Sequence, residues 1–82
     1  MIKFNHKIIN SVGLHARPGK MLVNAAKSLD SEILITYNQK TVPATSLIKV
    51  IALGATTGSI IEITINGGNE QYTYDVIKKL LD

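Results

Sequence analysis

Gly58-Ser59-Ile60-Ile61-Glu62-Ile63-Thr64-Ile65 places Ile61, Ile63 and Ile65 on one side and Glu62 and Thr64 on the other. Alternation with a period of two describes a strand that buries one face and wets the other. Strands of this kind call for helices on one side of the sheet only, so this stretch decides the fold class. Downstream, Asn66-Gly67-Gly68 reads as a turn, and Asn69-Glu70-Gln71 opens a last helix with an acidic residue near its positive end. Thr73, Ile77 and Leu80 of that helix follow core spacing, and Lys78-Lys79 complement its carbonyl end.

Upstream, Leu47 to Leu53 reads as a short helix, with Ser46 as N-cap and Gly54 at or near the C-cap. It is apolar nearly all round. Val50 and Leu53 share one side of the wheel, while Leu47, Ile48 and Ile51 share another, and the pattern leaves open whether the second group is buried. Before it, Glu32 to Tyr37 is a strand with Ile33, Ile35 and Tyr37 inward. Asn38-Gln39 makes a two-residue hairpin turn into Lys40-Thr41-Val42, a strand ended by Pro43.

Nearer the amino end, Leu22, Ala26 and Leu29, widened by Val23, form the stripe of a helix that starts after Pro18 and ends at Asp30-Ser31. Lys20, Asn24 and Lys27 fall on its other side. Ile2, Phe4 and Ile8 alternate with Lys3, Asn5 and Lys7 in a first strand; His6 takes its inward register and reads as structural. The order β-α-β-β-α-β-α predicts an α+β open-faced sandwich, a four-stranded antiparallel sheet covered on one face by three helices, as one domain over 1–82.

An 82-residue chain that is 45% hydrophobic, with six glycines and two prolines, is of ordinary globular composition. The absence of cysteine excludes a disulfide scaffold and a zinc ribbon and fits a reducing cytoplasm. No run approaches the ~20 apolar residues of a membrane span, and Met1 to Lys7 is too polar for a signal peptide. A net charge of +3 suits an acidic protein surface. With only Phe4, Tyr37, Tyr72 and Tyr74 as aromatics, the chain lacks the stacking residues expected of an RNA binder.

Local chemistry concentrates in Gly13-Leu14-His15-Ala16-Arg17-Pro18. His15 should stand at or just before a helix amino end, where unpaired N–H groups and the macrodipole favour anions without a metal or cofactor. Those surroundings and Arg17 oppose a second positive charge, so the imidazole should stay neutral and nucleophilic near pH 7. The Arg17 guanidinium suits phosphoryl oxygens. Ala16 and Pro18 belong to the first turn, where the missing proline N–H costs nothing.

Taken together, Gly-Leu-His15-Ala-Arg17-Pro18, Ser46-Leu-Ile-Lys, Leu53-Gly54-Ala55-Thr56-Thr57-Gly58-Ser59 and Gly68-Asn69-Glu70 resemble HPr. HPr is the histidine-containing phosphocarrier family of the bacterial sugar phosphotransferase system. The resemblance covers essentially the whole chain. It implies that His15 takes a phosphoryl group at Nδ1 from Enzyme I and passes it to sugar-specific IIA proteins or domains, while Arg17 steadies the group in transit. It implies a non-enzymatic cytoplasmic carrier that is monomeric, takes no cofactor and binds neither nucleic acid nor membrane. Ser46 matches a regulatory serine that an HPr kinase/phosphorylase modifies in many Gram-positive bacteria. The alternative role is a regulatory module that acts mainly through phospho-Ser46 and a catabolite-control transcription factor. Lys20, Leu47, Ile48, Lys49 and Ile51 map to the partner-docking face, which makes the second apolar group of the short helix a contact patch. Gly19, Gln39 and Pro43-Ala44-Thr45 depart from the family's commoner residues.

Overall fold

In the computed structural model, which describes residues 1–9 and 17–81 with the backbone alone for Arg17 and Pro18, strand β4 (Ile60–Asn66) lies inside the sheet. Its neighbours are β1 (Ile2–Lys7) and β2 (Glu32–Tyr37), and β3 (Lys40–Pro43) completes the order β1-β4-β2-β3. Every pairing is antiparallel. The registers align apolar residues into rows across the sheet. Phe4 faces Ile63, Ile63 faces Ile35, and Ile35 faces Val42, while Ile65 lies between Ile2 and Ile33. A slip of one residue in any strand would turn its buried set to solvent, so these rows fix the register.

Helices α1 (Arg17–Ser28), α2 (Leu47–Ala52) and α3 (Glu70–Leu81) cover one face. Where they meet the sheet, Leu22, Val23, Val50 and Ile77 of the helices and Ile35, Ile61, Ile63 and Ile65 of the strands are at most 2% exposed. Leu29 and Leu80 pack against this core half-buried. The opposite face carries Lys3, Asn5, Glu62, Thr64 and Thr36. His6 is buried on the inward face of β1, as its register required.

Several strand limits differ from expectation, the end of β4 among them, which takes in Asn66 from the expected turn. Strand β4 begins at Ile60, not Gly58. Gly58 takes φ +89, and the Ser59 N–H donates to Thr56 O at 2.9 Å, so both belong to the preceding turn. Strand β3 includes Pro43, which pairs with Leu34; at a sheet edge its missing donor faces no partner strand. The turn Asn38-Gln39 has φ 51 and 67, the left-handed pair that matches the twist of a two-residue hairpin. Gln39 adopts it at a cost of about 1 kcal/mol.

Candidate phosphocarrier site

Helix α1 begins at Arg17, so its first turn follows His15 and Ala16 directly in the chain. His15 and Ala16 lie outside the described residues, as do the side chains of Arg17 and Pro18. Gly19 is buried in the first turn, and Leu22, Val23 and Ala26 hold the helix to the core. The amides that open α1 have no helical partners upstream, which makes this end a place for an anion.

Helix α2 packs beside α1. Ser46 is its N-cap: with extended backbone (φ −108, ψ 105), its Oγ accepts from the Lys49 N–H at 3.4 Å. The strand end before it is firmly placed, because the Ala44 N–H donates to Ile33 O at 2.9 Å and Ala44 is fully buried. Gly54 follows the helix at φ +74, a left-handed conformation that ends it.

The two apolar sides of α2 separate as the helical wheel divides them, with one exception. Val50 and Leu53 are buried, whereas Ile48 is 82% and Ile51 41% exposed. Leu47 is the exception, half-buried and packed against the core, so it serves the interior as well as the rim of the patch. Lys20 and Lys49 are exposed. Met21 on α1 joins them at 45% exposure. Met21 is absent from the expected site residues, yet its position off the Leu22–Ala26 stripe marks it as an apolar residue facing outward. Ile48 and Ile51 on α2 and Met21 on α1 are thus apolar residues exposed on two helices in contact, with exposed Lys49 beside Ile48 and exposed Lys20 beside Met21 in sequence.

The chain enters the His15 segment from the end of β1, and that exit is pinned. The Ile8 N–H donates to Ser59 O at 2.9 Å, and Ile8 O accepts from the Gly58 N–H at 2.8 Å. No group of three His, Cys, Asp or Glu side chains among the described residues could hold a metal ion. None of the helices among them is long and apolar enough to cross a membrane.

A family model described as the phosphorylation site of the HPr component of the phosphotransferase system matches residues 2–82. The chain belongs to the HPr family. Like HPr proteins generally, it is a phosphocarrier of the phosphotransferase system. It is 39% identical to the phosphocarrier protein HPr of Haemophilus influenzae over 75 residues, 92% of this chain and 88% of that one. With the HPr of Buchnera aphidicola it shares 45% identity over 65 residues, 79% of this chain and 76% of that one. The crystal structure of HPr-C-His from Thermoanaerobacter tengcongensis superposes with a TM-score of 0.93 at 28% identity, covering 99% of this chain and 91% of that one. The open-faced sandwich is therefore the HPr fold.

Proposed function

We propose that His15 is the phosphoryl acceptor and that the chain carries this group from Enzyme I to sugar-specific IIA proteins or domains. The supporting observation is that α1 begins at Arg17, immediately after His15 and Ala16, in a chain matched by the HPr model from residue 2 to 82. A lone pair on neutral His15 Nδ1 attacks phosphorus as the bond to the donor breaks, and the reverse step hands the group on. Arg17 and the unpaired amides of the first turn hold the phosphoryl oxygens while charge redistributes. The carrier works as a cytoplasmic monomer with no cofactor and turns over nothing by itself.

Lys20, Ile48, Lys49 and Ile51, with Leu47 at the rim, serve as the docking face for successive acidic partners. Their exposure on neighbouring helices supports this assignment. A small apolar patch within a positive rim gives fast encounter and fast release, which a carrier needs in both directions.

Ser46 is a second phosphorylation site, modified by an HPr kinase/phosphorylase where the host has one. The modification adds about −1.5 to −2 charge at the start of α2, which the helix tolerates. It would repel an acidic partner from Ile48 and Ile51 and could recruit a catabolite-control transcription factor.

Incubation with Enzyme I and phosphoenolpyruvate tests the reading. It should yield an acid-labile, base-stable phosphoprotein, and His15→Ala should abolish it. Labelling that survives His15→Ala would refute the assignment.

A further inference from the structure

The turn that pins Ile8 is itself held from across the fold. Ser59 Oγ accepts from the Thr56 N–H at 3.1 Å and donates to Tyr37 Oη at 3.1 Å. Both roles of the Ser59 hydroxyl are thereby used. Tyr37 is the last residue of β2; it pairs with Lys40 to close the Asn38-Gln39 hairpin, and its ring packs against the core half-buried. The ring is thus fixed by packing while its hydroxyl reaches the turn. From there two backbone hydrogen bonds pass to Ile8, from the Gly58 N–H and to the Ser59 carbonyl.

We propose that Tyr37 is a positioning residue for phosphoryl transfer, acting through Ser59 and the 56–59 turn on Ile8, the point where the chain leaves for His15. This rests on the reading of His15 as acceptor. On either side of His15 the described chain is anchored, at Arg17, where the helix begins, and at Ile8. Alignment of an attacking nitrogen with phosphorus depends on both anchors. A displacement of about 1 Å from a change distant from the chemistry can cost up to about a hundredfold in rate. Tyr37 and Ser59 touch no phosphoryl group themselves. Their effect belongs in the transfer rate and not in partner docking, because neither is among the residues assigned to the docking face.

Tyr37→Phe keeps the ring and removes only the hydroxyl; Ser59→Ala removes the intermediate link; Ser59→Thr retains a hydroxyl. The full chain of each should be assayed for single-turnover transfer from phospho-Enzyme I, for affinity to unphosphorylated Enzyme I, and for amide hydrogen exchange at Ile8 and Gly58. Tyr37→Phe and Ser59→Ala should each slow transfer about tenfold, with affinity within twofold of the parent and faster exchange at both amides. The double variant should be little worse than either single one. Ser59→Thr should recover most of the rate.

Parental transfer rates in Tyr37→Phe and Ser59→Ala would overturn the proposal, whether or not the Ile8 amide exchanges faster. So would an equal loss of rate in Ser59→Thr. Failure of the parent protein to accept phosphate on His15 is a separate result, which removes the carrier reading and this proposal with it. If Ser59→Ala proves too unstable to assay, Tyr37→Phe alone decides the matter.

Discussion

Ser31 Oγ lies 2.7 Å from Thr73 Oγ1 in the interior, joining the residue before β2 to the buried side of α3. Ser31 also donates to Gly67 O at 2.7 Å, which uses its only hydrogen, so the Thr73 hydroxyl is the donor between the two. The short chain fixes the β4–α3 turn against β2. Ser31→Ala leaves the buried Thr73 hydroxyl without its acceptor and should cost about 1–3 kcal/mol in urea denaturation. Adding Thr73→Val should cost less than the sum of the two single changes, because no orphaned hydroxyl remains.

Gly68 should tolerate substitution less well than Gly54. Both have left-handed φ, +60 and +74, but a Cβ on Gly68 would stand 2.5 Å from Asp30 Cγ, while one on Gly54 meets nothing within 4 Å. Asp30 is exposed and can swing aside, but doing so gives up the bond that its Oδ1 accepts from the Asn69 N–H at 3.3 Å. Gly54→Ala should cost about 1 kcal/mol, the price of the conformation alone. Gly68→Ala should exceed it by about 0.5–1 kcal/mol, from the displaced Asp30 side chain and its lost bond. Thermal melts of the two variants make the comparison.

Glu70 sets part of the acid response. Its Oε1 lies 2.7 Å from the Met1 amino group and its Oε2 accepts from the Gly67 N–H at 2.7 Å. The hydrogen bond to that amino group first, and the Gly67 amide second, hold its carboxyl below the ordinary carboxylate range. A carboxyl lowered in the folded state adds stability above its unfolded value, and that stability is lost as pH falls through the folded value. Glu70→Gln should therefore lower Tm at pH 7, with the gap to the parent closing below about pH 4. A gap that widens on acidification would contradict this assignment.

Within α2, fold and docking should separate by residue. Val50→Ala removes fully buried methyl groups and should cost about 2 kcal/mol. Ile48→Asp, at a position 82% exposed, should change stability by no more than about 0.5 kcal/mol. If the proposed docking face is right, the same change should weaken transfer from Enzyme I, since it sets a negative charge where acidic partners are proposed to dock. Denaturation and transfer assays on the two variants should give opposite orders of severity.

Periodicity made most of the sheet legible, because Ile61, Ile63 and Ile65 admit one inward register and the hairpin at Asn38-Gln39 fixes the next strand. Caps were equally local: Ser46, Gly54 and Asn69 act within three or four residues of themselves, so their roles can be read from neighbours. Leu47 was harder. On a two-turn helix a residue at the boundary can touch both core and solvent, and no wheel divides it. Interactions distant in sequence left no trace at all: Ser31 with Thr73, Asp30 with Asn69, and Tyr37 with Ser59 depend on turns whose paths arise only once the sheet is assembled. Near the site, the presence of a helix just after His15 was legible from its apolar stripe, although it starts at Arg17, two residues before the expected position, because Arg17 and Pro18 carry no apolar periodicity to mark it.

Phosphorus-31 and nitrogen-15 NMR of the chain after reaction with Enzyme I and phosphoenolpyruvate is the most direct test of the whole account. One phosphoramidate signal should appear, coupled to Nδ1 of His15, and it should disappear when a IIA protein is added. A signal on His6 or on a hydroxyl, or none from an Enzyme I preparation that phosphorylates another HPr, would contradict it.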